Sequence, residues 1–448
     1  MNLMKNKNSN SSICIIGLGF VGLTLSVVMA QRGFRVYGVE KKNSILNNLR
    51  LNKGHFYEPG LDKILKKIKR NKKFTFHAAI PNKKDINTYI ITVGTPLNNN
   101  KKIITKHITS TCKKIAKFLK DDDCVILRST VKVGTTRNIA GKILNKTKKK
   151  FKLAFCPERA VEGAALKELY YLPQVIGGKD KKSQEYCKKI FKRITNKIVL
   201  VSSLETAEMI KLIDNSSRDV FFAYANEIAR TAESIGLDAN EIINSGKLHY
   251  DRTFIASPGL VGGPCLHKDP YIFSDSLKKS GIKAEITLMA RKINERQPAE
   301  IVNFINKQTL KIKNFPKKPK ISLIGLAFKG KPITDDLRGS MSLEVFKALK
   351  TKYKYASFYG FDPVVNRTKI KNAGLKPLKQ LDKSFEKKDL IVITNNHKIF
   401  SKMNIVKLSK KLNKPSLIYD FWNHFESKKI KLPKNVTYIG LGGNNKLK

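Results

Sequence analysis

Short apolar runs alternate with lysine-rich stretches of helical spacing through the first part of the chain. Ser12–Ile16 (SICII) is a compact apolar run, and Leu23–Ala30 after it has the apolar density of a buried helix, which Gly33 ends. Arg35–Glu40 (RVYGVE) reads as a second strand, and Thr88–Val93, Cys124–Arg128 and Lys152–Cys156 as further ones. Between them Leu61–Arg70 and Ile108–Leu119 carry helical spacing. This alternation predicts a mainly parallel sheet covered on both faces, closing near residue 200.

Ser203 to Ile235 lacks Pro and Gly and repeats its apolar residues near helical spacing, which predicts one long helix suited to a spine and a dimer surface. A second cycle then begins. Ile321–Phe328 (ISLIGLAF) echoes the opening strand and turn, and Ser357–Asp362 (SFYGFD) echoes RVYGVE, so a second sheet of the same kind is expected, with the Lys/Asn-rich stretch 306–320 as its linker. The fold class is therefore α/β: two Rossmann-like doubly wound domains joined by a central helical domain, divided as 1–202, 203–305 and 306–448.

Composition narrows the function. A chain of 448 residues, 41% hydrophobic, buries ample core, and it contains no apolar stretch long enough for a membrane span and no signal-peptide h-region, so a cytoplasmic protein is expected. The charge is unusual: 88 Lys+Arg against 35 Asp+Glu give +53. The lysines lie in short scattered runs such as Lys66-Lys67 and Lys148-Lys149-Lys150 without interleaved aromatics, which reads as solvated surface rather than a nucleic-acid interface. Tight, salt-sensitive binding to DNA or RNA would mark the contrary case. Six cysteines stand far apart with no metal-ligand spacing, so no metal site and no disulfide framework is expected.

Candidate chemistry sits in two glycine-rich segments. Gly17-Leu18-Gly19-Phe20-Val21-Gly22 lies between a strand and a helix. Its glycines suit the tight turn, the approach of a pyrophosphate and helix–sheet packing, and Glu40 ends the next strand where it can accept ribose hydroxyls and repel a 2'-phosphate. The cofactor expected is NAD. The other segment, Pro258 to Asp269 (PGLVGGPCLHKD), forces an irregular loop around Cys265. Cys14, Cys112, Cys124, Cys156 and Cys187 read as small buried hydrophobes, whereas a loop cysteine near lysines can be a nucleophile. His267, two residues on, is a poor geometric match for a Cys–His pair.

From residue 13 to about 365 the chain resembles the UDP-glucose and UDP-N-acetylmannosamine dehydrogenase family. The resemblance rests on G-L-G-F-V-G, Tyr57-Glu58-Pro59-Gly60, Val93-Gly94-Thr95-Pro96, Ser129-Thr130-Val131, Pro157-Glu158, Lys211 with Asn215, G-G-P-C-L-x-K-D, and Phe328-Lys329-Gly330 followed by Asp336-Leu337-Arg338. The form Pro157-Glu158-Arg159 looks more like the branch acting on N-acetylated UDP-hexosamines, with UDP-N-acetylmannosamine ahead of UDP-N-acetylglucosamine and UDP-glucose.

The resemblance implies an NAD-binding domain, a helical dimerisation centre and a UDP-binding domain. It also implies that C6 of a UDP-sugar is oxidised twice through a thiohemiacetal and a thioester on Cys265. Lys211 and Asn215, one helical turn apart, are the expected oxyanion donors, and Asp269 and Glu158, with Thr130 assisting, the groups handling water and protons. Cofactor contacts are expected from Gly17, Gly19, Phe20, Val21, Gly22, Glu40, Thr95, Thr130 and Arg338. Substrate contacts are expected from Glu158, Arg159, Lys211, Arg252, Gly259, Gly262 and Lys329. The partner set is a UDP-sugar and a second copy of the chain, with no nucleic acid and no membrane.

Overall fold

The computed structural model describes residues 12–426 and 430–443. Contacts gather the chain into two compact units, one running to Asp214 and including Tyr271–Lys283, the other made of Asn215–Pro270 and the chain from Ala284 onward.

The first unit is built on eight strands: β1 (Ser12–Ile16), β2 (Arg35–Val39), β3 (Phe74–His77), β4 (Ile86–Ile91), β5 (Cys124–Leu127), β6 (Lys152–Phe155), β7 (Gln174–Gly178) and β8 (Ile198–Val201). They lie in the order β3-β2-β1-β4-β5-β6-β7-β8. All pairs are parallel except β6 with β7. Strand residues alternate between two cores: Ile13 and Ile15 pack with the helix Phe20–Gln31 on one face, Cys14 and Ile16 with Ile108 and Cys112 on the other. Covering both faces is why these strands read as unbroken apolar runs. The order reverses between β1 and β4, the switch point where such sheets open a crevice at their strand ends.

The second unit carries the predicted echo: β9 (Lys320–Ile324), β10 (Ser357–Phe361), β11 (Lys376–Pro377), β12 (Leu390–Ile393), β13 (Ser416–Asp420) and β14 (Val436–Gly440), all parallel, in the order β11-β10-β9-β12-β13-β14. Gly325 ends β9 with φ +87°, as Gly17 ends β1 with φ +97°. The turns then diverge, because the next helix starts only at Met341, leaving residues 325–340 as an excursion that carries Lys329 and Arg338.

The long helix is observed over Leu204–Ser234. The expected linker needs correction: the helix Glu285–Lys311 runs into it and occupies residues 306–311, with Pro298 inside. Ile301, Val302 and Ile305 bury an apolar stripe there, and that burial outweighs the polar Lys/Asn content and the proline.

Candidate active site

The glycine turn of the first unit assigns a distinct job to each glycine. Gly17 adopts the left-handed backbone that turns the chain out of β1. A Cβ on Gly22 would stand 1.8 Å from the Gly17 carbonyl oxygen, so only glycine lets the helix pack this closely on the strand. Gly19 is the opposite case: a Cβ there meets nothing within 4 Å, and Gly19 caps the helix Phe20–Gln31 without any side-chain hydrogen bond to the cap. An open approach to uncapped helix N–H groups is what a pyrophosphate needs. Glu40, nearly buried, accepts from the Leu18 N–H through Oε2 (3.0 Å) and from the Lys42 N–H through Oε1 (3.0 Å), which places its carboxylate beside the turn. These residues fit a dinucleotide. Phe20 packs its ring against Phe56, centroids 5.1 Å apart and tilted by 57°, and Val21 follows it in the helix half-buried.

The loops after β4, β5 and β6 are tied to one another. Thr95 Oγ donates to the Thr130 carbonyl (2.7 Å) and Ser129 Oγ to that of Val93 (2.7 Å). Glu158 is buried, and its Oε2 accepts from Arg128 Nη2 (2.8 Å) and Nε (3.3 Å), while Oε1 accepts from the N–H groups of Arg159 and Ala160 (2.9 Å each). Arg128, equally buried, also donates to the Cys156 carbonyl and Gln174. Arg159 pairs with Asp214 at 2.8 Å.

Two acids that the sequence left without a role complete this scaffold. Glu58 accepts from the N–H groups of Gly163 (2.8 Å) and Leu166 (3.1 Å), bracing the loop that follows Glu158. Glu208, fully buried on the long helix, accepts from Gly134 N–H (2.5 Å), Thr136 N–H (2.8 Å) and Thr136 Oγ (2.6 Å), and burial pushes its carboxyl up to about 7. Glu58 belongs to a recognised motif, but only tertiary structure supplies the amides it holds.

In the second unit Cys265 lies on the one-turn helix Gly263–Leu266 and is exposed, whereas Cys14, Cys112, Cys124, Cys156 and Cys187 are all fully buried. Burial drives the thiols of Cys14 and Cys112 up to about 12. The loop rests on close backbone approaches. A Cβ on Gly259 would enter the Trp422 ring (2.8 Å), one on Gly262 would meet the Gly339 carbonyl (2.4 Å), and Gly263, at φ +93°, gives its N–H to that same carbonyl (2.8 Å). Gly259 and Gly262 therefore have a packing reason for being glycine. Asp269, fully buried, accepts from Asn215 Nδ2 (2.5 Å) and Lys268 Nζ (2.7 Å).

Lys211 stands half-buried one turn before Asn215 on the long helix. Lys329 lies 5.3 Å over the Phe328 ring, the exposed Arg338 forks onto Asp336 (2.8 and 2.6 Å), and Arg252 is exposed. The expected site residues are divided between the two units: Gly17 to Gly22, Glu40, Thr95, Thr130, Glu158, Arg159 and Lys211 belong to one, and Asn215, Arg252, Gly259, Gly262, Cys265, Asp269, Lys329 and Arg338 to the other. Among the described residues no group of His, Cys, Asp and Glu could hold a metal ion, and no helix is long and apolar enough to cross a membrane.

Residues 11–195 match the NAD-binding domain of the UDP-glucose/GDP-mannose dehydrogenase family, residues 205–296 its central domain and residues 322–427 its UDP-binding domain. The chain belongs to the UDP-glucose/GDP-mannose dehydrogenase family. It is an NAD-dependent UDP-sugar dehydrogenase, and NAD is the cofactor whose fit to the glycine turn is described above.

Among family members, the UDP-N-acetyl-D-mannosamine dehydrogenase of Pyrococcus horikoshii is 30% identical over 411 residues, 91% of this chain and 94% of that protein. The protein of that name from Methanocaldococcus jannaschii is 32% identical over 432 residues, 94% and 95% of the two chains. The solved structure of the UDP-D-ManNAc dehydrogenase of Pyrococcus horikoshii aligns with a TM-score of 0.85 at 30% identity, covering 96% of this chain and 99% of that one. A UDP-glucose dehydrogenase from Pyrobaculum islandicum shares the fold at TM-score 0.84 and 22% identity, covering 98% and 99%.

Proposed function

We propose that this enzyme oxidises the C6 hydroxyl of UDP-N-acetyl-D-mannosamine to a carboxylate, with Cys265 as its covalent catalyst. The observation carrying the reading is the solitary exposure of Cys265 on a Gly/Pro-shaped loop in a chain whose five other cysteines are fully buried. The choice of sugar is supported by relatives of that name at 30–32% identity and by the Pro157-Glu158-Arg159 sequence.

Gly17–Gly22 and Glu40 would hold NAD, which would supply the hydride acceptor for each of the two oxidations at C6. The Cys265 thiolate adds to the C6 aldehyde, and the resulting oxyanion is stabilised by Lys211 and Asn215. After the second oxidation the carbon is held as a thioester. Water directed by Asp269 then adds to it, releasing the carboxylate and returning the thiol. Glu158 is assigned to proton transfer, and its bonds from Arg128 and two backbone amides also hold the 157–163 loop. Thr130 assists in that same region, and Arg159, Arg252 and Lys329 are assigned to the substrate.

Segments 1–202, 203–305 and 306–448 are read as cofactor, central and nucleotide-binding parts. The middle segment is assigned to homodimerisation on the strength of its exposed apolar side chains, among them Tyr224 (55%), Phe254 (72%) and Ile286 (74%). A catalytic thiol that must stay reduced fits the cytoplasm.

The test is the amount of NADH formed per sugar, with UDP-N-acetylmannosamine, UDP-N-acetylglucosamine and UDP-glucose offered separately. Two NADH per molecule of the first, abolished in Cys265→Ala, is the expected result. Turnover of another of these sugars alone would replace the substrate, and one NADH per sugar would remove the covalent step.

A further inference from the structure

The loop that presents Cys265 has little secondary structure of its own, so its backbone polar groups need partners from elsewhere. Two buried side chains, Arg291 and Asn226, supply them, and two more, Asp219 and Asn294, hold these in place. Arg291, on the helix Glu285–Lys311 and 0% exposed, donates through Nη2 to the Val261 carbonyl (3.1 Å) and through Nη1 to the Leu266 carbonyl (3.0 Å). The two carbonyls flank Cys265 in sequence. Nη1 also donates to Asp219 Oδ1 on the long helix (2.8 Å).

Asn294, three residues after Arg291, donates Nδ2 to Asp219 Oδ1 and to the Asp219 carbonyl (3.0 Å each). Its Oδ1 accepts from Asn226 Nδ2 (3.0 Å). Asn226 then closes on the start of the loop in amide-to-backbone fashion: Nδ2 donates to the Gly259 carbonyl (3.1 Å) and Oδ1 accepts the Gly259 N–H (2.8 Å). All four side chains are at most 2% exposed.

A buried ion pair is a poor source of stability, since well-packed apolar side chains in its place are often neutral or better. Here the charged fork does what no apolar group can do: it fixes two carbonyls on either side of one residue at once. We infer that Arg291, held by Asp219, which Asn294 in turn holds, is a positioning residue that sets the place of the Cys265 thiol by clamping Val261 and Leu266, while Asn226 clamps Gly259 at the start of the same loop. The inference rests on the reading of Cys265 as the catalyst.

The experiment compares Arg291→Lys, which keeps the charge and loses the fork, with Asn226→Ala. Each variant is assayed as the full-length enzyme for melting temperature, NAD affinity, KM and kcat with the UDP-sugar, and the rate of Cys265 alkylation by iodoacetamide against pH. Arg291→Lys is expected to bind NAD normally, to leave KM within about threefold, and to lower kcat about 100-fold, the scale of an ångström of misplacement. The alkylation profile, measured well below the melting temperature of the variant so that only folded protein reports, should shift in the same variant. Asn226→Ala is expected to move the same readouts in the same direction, and it decides the matter should Arg291→Lys fail to fold. Folded variants with kcat and alkylation within twofold of the parent overturn the positioning role. Full activity of Cys265→Ala overturns the covalent reading instead, and the alkylation profile still reports on the clamp.

Discussion

Arg128 Nη2 and Glu158 Oε2 lie 2.8 Å apart with both side chains buried, at 1% and 8% exposure. The pair fixes the end of β6 against Gln174 and the loop that follows. Removing the carboxylate strands a guanidinium in the interior, so Glu158→Ala should lose about 3 kcal/mol of unfolding free energy. Urea denaturation measures it. An unchanged midpoint would show that the pair contributes no stability.

Glu208 imposes a pH dependence on stability. In the unfolded chain it gives up its proton near 4.5, in the fold only near 7, because burial disfavours the charge. Below pH 4.5 both states hold the proton and the group is neutral to stability. Between 4.5 and 7 the unfolded state alone ionises, so stability falls as pH rises, by about 3 kcal/mol, and stays lowered above 7. Glu208→Gln should abolish this component, read as the difference between the pH profiles of the two proteins.

Gly19 and Gly22 should respond oppositely to one added methyl group. Gly19→Ala has room, so melting should stay within a few degrees of the parent while NAD binding weakens roughly tenfold, about 1.4 kcal/mol. Gly22→Ala collides with the Gly17 carbonyl and should lose stability and NAD binding together. Calorimetric titration beside thermal melts separates the two.

Iodoacetamide at neutral pH should modify Cys265 first, because the five other thiols are fully buried. Peptide mass spectrometry checks this, and labelling of Cys14 or Cys124 at a comparable rate would contradict the burial pattern.

Much of this fold was legible because its signals are local. SICII followed by glycines, and RVYGVE ending in an acid, are features of neighbouring residues, and the later pair ISLIG and SFYGFD repeats them closely enough to place β9 and β10. Cys265 stood out by the glycines and prolines beside it. What stayed hidden depends on partners distant in sequence: Glu58 on Gly163, Glu208 on Thr136 and Arg291 on Val261 are pairings that no spacing rule joins. The helix through residues 306–311 was hidden for another reason, since its Lys and Asn content resembles a linker while its buried stripe is set mainly by Ile301, Val302 and Ile305.

Asp362 accepts the N–H groups of Leu326 (2.7 Å) and Ala327 (3.0 Å), just as Glu40 accepts that of Leu18. Each acid latches the turn that leaves the neighbouring strand, yet only the first turn runs directly into a helix. The latch is thus common to both sheets and indifferent to cargo. An acid at that position is a mechanical fastener before it is a ligand, and a ribose arriving at Glu40 must share oxygens already engaged in keeping the turn shut.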